Sequence, residues 1–307
     1  MAIGGTTVDR ASEMRVPAAM TALASETPVS RTRRNVWRPM RRAGAYLALI
    51  IASLIFGYPL VWTVIASFKP EAEIFTLGLW TDKPTLANYR DVANAIPLLR
   101  EVLNSVIIAG SQTIGALMFC SAAGFAFAKL QFPGKRALFG LLLATVMVPT
   151  FVTILPSFII MARIGWVDTY QSVIVPGLAG AFGIFFMRQY MYAIPDELLD
   201  AARVDGGNNF TVYLRIALPI CWPALGVLGI LTFIAAWNNY LWPLVMLRST
   251  SMQPIALGIT SLTTSSLGTA PWGAVMAGAS VAVVPLLVVF MIFQRKITSG
   301  IMRGAIR

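Results

Sequence analysis

Histidine is absent from this 307-residue chain, which removes histidine-based catalytic triads, proton shuttles and zinc sites. Cysteine is nearly absent too. Cys120 and Cys221 are too few for a zinc site or a disulfide framework. Both fall in or beside apolar runs, where a free cysteine behaves as a small buried hydrophobe. Charge is scarce: 12% of residues are charged against 57% hydrophobic, and mean hydropathy is +0.72. A soluble domain is roughly a quarter charged, so this composition argues against one. Acids are scarcest, 13 against 24 Lys and Arg, for a net charge of +11. That balance alone would admit nucleic acid, and the positions of the charges decide the matter.

A membrane-spanning helix needs about 20 apolar residues. Six runs qualify, near 44–67, 103–128, 137–161, 171–187, 220–247 and 272–293. The fourth is the shortest and extends toward Tyr190. Apart from residues at their edges, none holds Asp, Glu, Lys or Arg, as expected where a mid-membrane charge costs about 2.5–3.5 kcal/mol. Eighteen of the 24 basic residues fall in the segment before run one, the loops after runs two and four, and the end of the chain. The positive-inside rule then places both termini in the cytoplasm. The charge reports topology and headgroup attraction, and the basic segments lack the interleaved aromatics of a single-strand binder. Residues 1–43 are expected to be a basic, disordered tail, without the apolar core of a signal peptide. Residues 69–102 are expected to form a short amphipathic element on the outer surface, and 248–271, rich in Ser and Thr, an outer loop. Prolines within or at the ends of the runs, Pro149 and Pro243 among them, predict bent helices. Gly177, Gly180 and Gly183 permit close helix approach.

The loop between runs four and five, about 188–219, carries the sharpest pattern. It includes Ile194-Pro195-Asp196-Glu197-Leu198-Leu199-Asp200-Ala201-Ala202-Arg203-Val204-Asp205-Gly206-Gly207. Pro195 suits a first helical position, and Asp196 and Glu197 suit a first turn. Gly206 suits a helix stop. These signals predict a helix over about 195–205, with Leu198, Ala201 and Ala202 on one face. Asn208 can cap a second helix, with Phe210, Tyr213, Leu214 and Ala217 on one stripe. Small alanines between acids make a docking knob for a basic groove. An amphipathic helix lying on the membrane is the blander alternative, but such helices are rich in Lys and Arg.

Asp200-Ala201-Ala202, three residues, Gly206, nine residues, Ile216, one residue, Leu218-Pro219 resembles the EAA loop of ABC importer permeases, with Asp200 where the family usually has Glu. Phe132-Pro133-Gly134-Lys135-Arg136, Trp237-Asn238-Asn239-Tyr240, and Phe293 to Gly300 followed by Gly304-Ala305 are similar to segments of maltose-type sugar permeases, G subunit included. The resemblance covers about residue 44 to the end. It implies an all-α, polytopic type I ABC importer permease with six transmembrane helices over 44–293, and a cytoplasmic C-terminal tail over 294–307. It further implies a cell membrane location in a prokaryote. The implied partners are a second permease subunit, two ATPase subunits and an extracytoplasmic sugar-binding protein. ATP and Mg would be bound by the ATPases, with no cofactor in this chain. Glu197, Asp200, Ala201, Ala202, Arg203, Asp205 and Gly206 would couple to the ATPase. Gln294, Arg295, Lys296 and Gly300 would reach the ATPase interface.

The residues support this division of labour. Gly134-Lys135 is followed by Arg136, without the spaced glycine and Ser/Thr of a phosphate loop, so the chain is not expected to hydrolyse ATP itself. Trp237, Asn238, Asn239 and Tyr240 are candidates for the substrate path, since an aromatic face with carboxamides suits a neutral polyol. An aromatic belt with interhelical hydrogen bonds is an even alternative. Glycerol 3-phosphate or a glycerophosphodiester remains open as the substrate. A stand-alone secondary transporter would call for intramembrane charges and would leave the docking loop unexplained.

Overall fold

The computed structural model describes residues 37–76, 78–264 and 271–304, with side chains described from 42 to 292. The described residues contain helices and no strand. In chain order they are α1 (Trp37–Ala66), α2 (Ala87–Ala95), α3 (Leu98–Lys129), α4 (Lys135–Val146), α5 (Thr150–Arg163), α6 (Tyr170–Ile174), α7 (Ala181–Tyr192), α8 (Asp196–Val204) and α9 (Asn209–Val212). After a π turn over Tyr213–Ala217 come α10 (Leu218–Ile220), α11 (Trp222–Trp237), α12 (Leu241–Met246), α13 (Ile255–Thr264) and α14 (Trp272–Gly304). The described residues fall into two units that part between Ile55 and Phe56. The helix packing from α2 onward belongs to the second.

Four stretches are long and apolar enough to cross a membrane: Arg42–Ala66, Leu98–Lys129, Tyr170–Tyr192 and Trp272–Ile292. Two bent pairs, α4 with α5 and the 209–220 segment with α11, bring the number to six. Six apolar runs therefore become six spans only if each broken helix counts as one. Run three turns by 105° between α4 and α5. Pro149 cannot donate a hydrogen bond and disfavours helical geometry at Val148. The preceding turn tightens, with Met147 N–H on the Ala144 carbonyl and Val148 N–H on the Thr145 carbonyl. Run five bends by 79° where α10 meets α11, between Pro219 and Pro223, and ends its main helix at Trp237. The expected outer loop over 248–271 contains a helix, α13, whose Ile255, Leu257, Gly258 and Leu262 are buried. Its Ser and Thr hydroxyls bond back to carbonyls of their own helix, so a polar sequence packs as an apolar one. The last helix continues through residue 304 with no break at 293.

The central packing is α3 against α7 and α11. Glycine sets the α3–α7 distance. A methyl group on Gly124 would lie 2.7 Å from Met187 Cβ, and one on Gly183 would lie 2.7 Å from Cys120 Sγ. A methyl group on Gly177 would lie 2.6 Å from the Gln112 amide carbon, and that amide donates to the Val173 carbonyl at 2.7 Å. Gly180 has open space, so two of the three expected glycines serve as close contacts. Cys120 and Cys221 are buried free thiols.

Opposite ends of these helices are tied differently. At the end holding the start of α3, Asn104 donates to the Ser251 and Gln253 carbonyls and accepts from Tyr170. Asp168 accepts from the Arg248 and Ser249 amides at 2.9 Å, and Ser249 hydroxyl also donates to it. Glu71 receives the Trp272 and Gly273 amides at 2.8 Å, capping α14. The other end carries α8.

Candidate functional site

The expected helix over 195–205 is α8, and both of its ends follow from local chemistry. Pro195 precedes it in extended geometry, φ −59° and ψ 135°. At the far end Gly206 has φ +87°, the left-handed conformation that glycine adopts without strain. Gly206 N–H donates to the Arg203 carbonyl at 3.0 Å, and Gly207 N–H to the Ala202 carbonyl at 2.9 Å. These two bonds are a Schellman stop. Gly207 also cannot be larger, because an added methyl would meet the Ala202 oxygen at 2.7 Å. Asn208 then starts α9 as expected, its side chain accepting from Thr211 N–H at 2.8 Å.

The faces differ from the expectation. Leu199 is the inward residue of α8, 1% exposed, with Ala202 packed beside it. Leu198 and Ala201 point outward instead. The expected stripe of α9 is also split: Val212, Tyr213 and Ala217 are buried, whereas Phe210 and Leu214 are exposed. The π turn over Tyr213–Ala217 adds a residue to the turn and rotates the helix beyond it. It lies just before Pro219, whose ring would otherwise strike the Arg215 carbonyl.

Leu199, Val212, Tyr213 and Ala217 belong to the same apolar core as Cys120, Phe125 and Ala128 of α3 and Met187 and Met191 of α7. Tyr213 hydroxyl meets Ser121 hydroxyl at 2.6 Å. Lys129, at the end of α3, fastens the start of α8. Its ammonium donates to the Ile194 carbonyl at 2.6 Å and to Asp196 at 2.7 Å. That hydrogen bond and charge hold the Asp196 carboxyl below the usual aspartate range. In sequence Lys129 shows only as a topological charge, because its partners lie 65 and 67 residues away.

The outer face of the knob is open. Glu197, Asp200, Ala201, Arg203, Asp205 and Gly206 are all exposed, and Ala202 is half-buried. Asp200 and Arg203 pair at 2.7 Å along the helix. Val204 is 88% exposed and Phe210 68%. The knob therefore presents acids and the apolar side chains of Leu198, Val204 and Phe210 on a base continuous with the α3–α7 core. Such a base can carry a displacement of α8 into the spanning helices.

The second candidate group falls at a helix break. Trp237 is the last residue of α11 and 2% exposed. Its ring stacks on Phe233 at 5.6 Å. Asn238 is exposed and returns its side-chain N–H to the Ile234 carbonyl. Asn239 accepts from Trp242 N–H at 3.4 Å at the start of α12. The paired asparagines thus compete with the backbone and end the helix. Asn238, Asn239 and Tyr240 remain at least partly exposed, whereas Trp237 is buried. Gln294, Arg295, Lys296 and Gly300 fall within the span of α14, and their side chains lie outside the described residues.

Residues 120–303 match the family model described as binding-protein-dependent transport system inner membrane component. This chain belongs to that family. It is 34% identical over 268 residues to the arabinooligosaccharides transport system permease protein AraQ of Halalkalibacterium halodurans, covering 83% of this chain and 92% of that one. It is 29% identical over 273 residues to the sn-glycerol-3-phosphate transport system permease protein UgpE of Brucella abortus, covering 86% and 97%. Its fold is similar to a chain of a bacterial ABC transporter involved in importing the acidic polysaccharide alginate. There the TM-score is 0.74 at 22% identity, over 84% of this chain and 97% of that one. The permease is thus a multi-pass, membrane-embedded helical protein of the type I ABC importer fold.

Proposed function

We propose that this permease is one transmembrane subunit of an ATP-driven, binding-protein-dependent importer for a sugar or oligosaccharide. It lies in the cell membrane of a prokaryote with both termini and α8 in the cytoplasm. It pairs with a second permease subunit and docks one of two ATPase subunits, which bind the ATP and Mg. The chain itself hydrolyses nothing. An extracytoplasmic binding protein delivers the sugar to the opposite face. The carrying observation is α8: a short helix with a rigid stop and an exposed acidic and apolar face, rooted in the core of the spanning helices. ATPase closure would push on Glu197, Asp200, Ala201, Ala202, Arg203, Asp205 and Gly206. Leu199 and Lys129 would pass the push to α3 and α7.

Asn238, Asn239 and Tyr240 line the substrate path in this reading, next to the buried Trp237. About 24 Å of α11 separates them from its start at 1.5 Å per residue, far from α8. Carboxamides and a phenol suit hydroxyl groups. A sugar substrate agrees with AraQ among the relatives. Glycerol 3-phosphate, the substrate in the name of UgpE, is the second reading, and it would need a cation from the partner permease. The test is purification of the tagged chain in mild detergent from its native membrane, read by mass spectrometry. A second permease and an ATPase in about one-to-one-to-two proportion support the proposal. A homo-oligomer without ATPase overturns it and revives the stand-alone transporter.

A further inference from the structure

At the α8 end, beside Lys129, a recess of about 670 Å³ opens between the end of α3, the start of α4 and the end of α7. Lys135, Arg136 and Arg188 line it together with Phe132, Phe139 and Tyr192, and no carboxylate does. The nearby Asp196 is already engaged by Lys129. Topology alone asks only that basic residues lie on this side; it does not ask that three converge on one recess.

Two of the three are held in place. The Arg188 guanidinium lies 4.1 Å from the Phe139 ring centroid and 5.0 Å from that of Tyr192, and its Nε donates to the Phe127 carbonyl. Lys135 Nζ donates to the Leu130 carbonyl at 2.7 Å. Arg136 is exposed and has no charged or hydrogen-bonded partner among the described residues. The mouth of the recess sits at a definable depth. α4 begins there and buries none of its residues, and Leu141, two turns in, is 67% exposed. An apolar helix left uncovered by its own chain offers its length to lipid tails, and its basic first residues suit the headgroup level, where ringed aromatics also settle.

We infer that this recess binds the headgroup of an anionic phospholipid, with its phosphate between Lys135, Arg136 and Arg188 and its tails along α4. Guanidinium groups suit phosphate through paired donors, and basic recesses between spanning helices at this surface take such headgroups. The inference needs only a membrane-embedded chain, so it stands or falls separately from the transport proposal.

The experiment is native mass spectrometry of the full chain in detergent, titrated with phosphatidylglycerol or with phosphatidylcholine. The wild type retains phosphatidylglycerol in preference. Arg136→Gln weakens that retention roughly fivefold, Arg136→Lys keeps most of it, and Arg163→Gln at the other end of the bundle leaves it unchanged. Equal retention of the two lipids overturns the inference, as does an unchanged Arg136→Gln variant or an equal loss in Arg163→Gln. Displacement of the lipid by millimolar inorganic phosphate also overturns it, assigning the recess to a soluble anion. Loss of co-purifying ATPase from Arg136→Gln with lipid retention intact overturns it in favour of a protein contact.

Discussion

Gly206 is where backbone geometry and coupling meet most directly. Its φ of +87° is set by the Schellman stop, and a methyl group added to it would meet nothing within 4 Å. Gly206→Ala therefore introduces no clash and isolates the conformational penalty. Holding an L-residue in the left-handed region costs about 1–2 kcal/mol, which is roughly a 5- to 30-fold shift toward an opened last turn of α8. The amides of Gly207 and residue 206, bonded to Ala202 and Arg203, should exchange with deuterium faster by about that factor. Asparagine tolerates the conformation far better, so Gly206→Asn should exchange within a fewfold of wild type. Gly207→Ala should lose more protection than Gly206→Ala, since its methyl meets the Ala202 oxygen. If α8 transmits force, sugar imported per ATP hydrolysed in proteoliposomes should fall in the same order. Equal exchange in Gly206→Ala and wild type, or in the alanine and asparagine variants, would refute this reasoning.

Three further outcomes are expected. Asp200→Lys removes the Arg203 pairing and cancels most of the knob's negative charge, so ATPase co-purification should fall while membrane insertion, checked by fractionation, stays intact. The Lys129–Asp196 clasp should follow the depressed carboxyl. Its contribution is fully present above the ordinary aspartate value of 3.8 and is lost only as pH falls below that through the folded value. A spin label at position 197 should then keep its mobility between about pH 8 and 5 and gain mobility only in stronger acid. Gly177→Val drives a side chain into the Gln112 amide and breaks its bond to Val173, leaving a buried polar group unpaired. That should cost about 1–3 kcal/mol, read as a lower melting temperature in detergent, whereas Gly180→Val at the open position should change little.

The features legible in the sequence are those that local chemistry decides. The Gly206 stop and the Asn208 cap each depend on residues within a turn of one another and stand in the structure where expected, and Pro195 starts α8 from one residue before it. Features that depend on distant residues are hidden. Pro149 marks a bend, but its 105° turn depends on how α4 and α5 pack. Leu198 and Leu199 are adjacent and chemically identical, and only the Lys129 clasp and the core beneath decide which one is buried. The π turn before Pro219 displaces Phe210 and Leu214 from their expected stripe. α13 reads as a loop because its hydroxyls are polar in isolation and self-satisfied in a helix. Trp237 reads as a path residue, and its ring is buried against Phe233.

The most direct test of the central claim, that α8 is the docking and coupling element, is a photo-crosslinker placed at Val204 in the full complex. This side chain is almost wholly exposed and bonds to nothing that a substitution would disturb. The account predicts a crosslink to the ATPase subunit that strengthens when ATP closes the ATPase pair. A crosslinker at Val204 that captures only lipid, with the ATPase present and active, would contradict it.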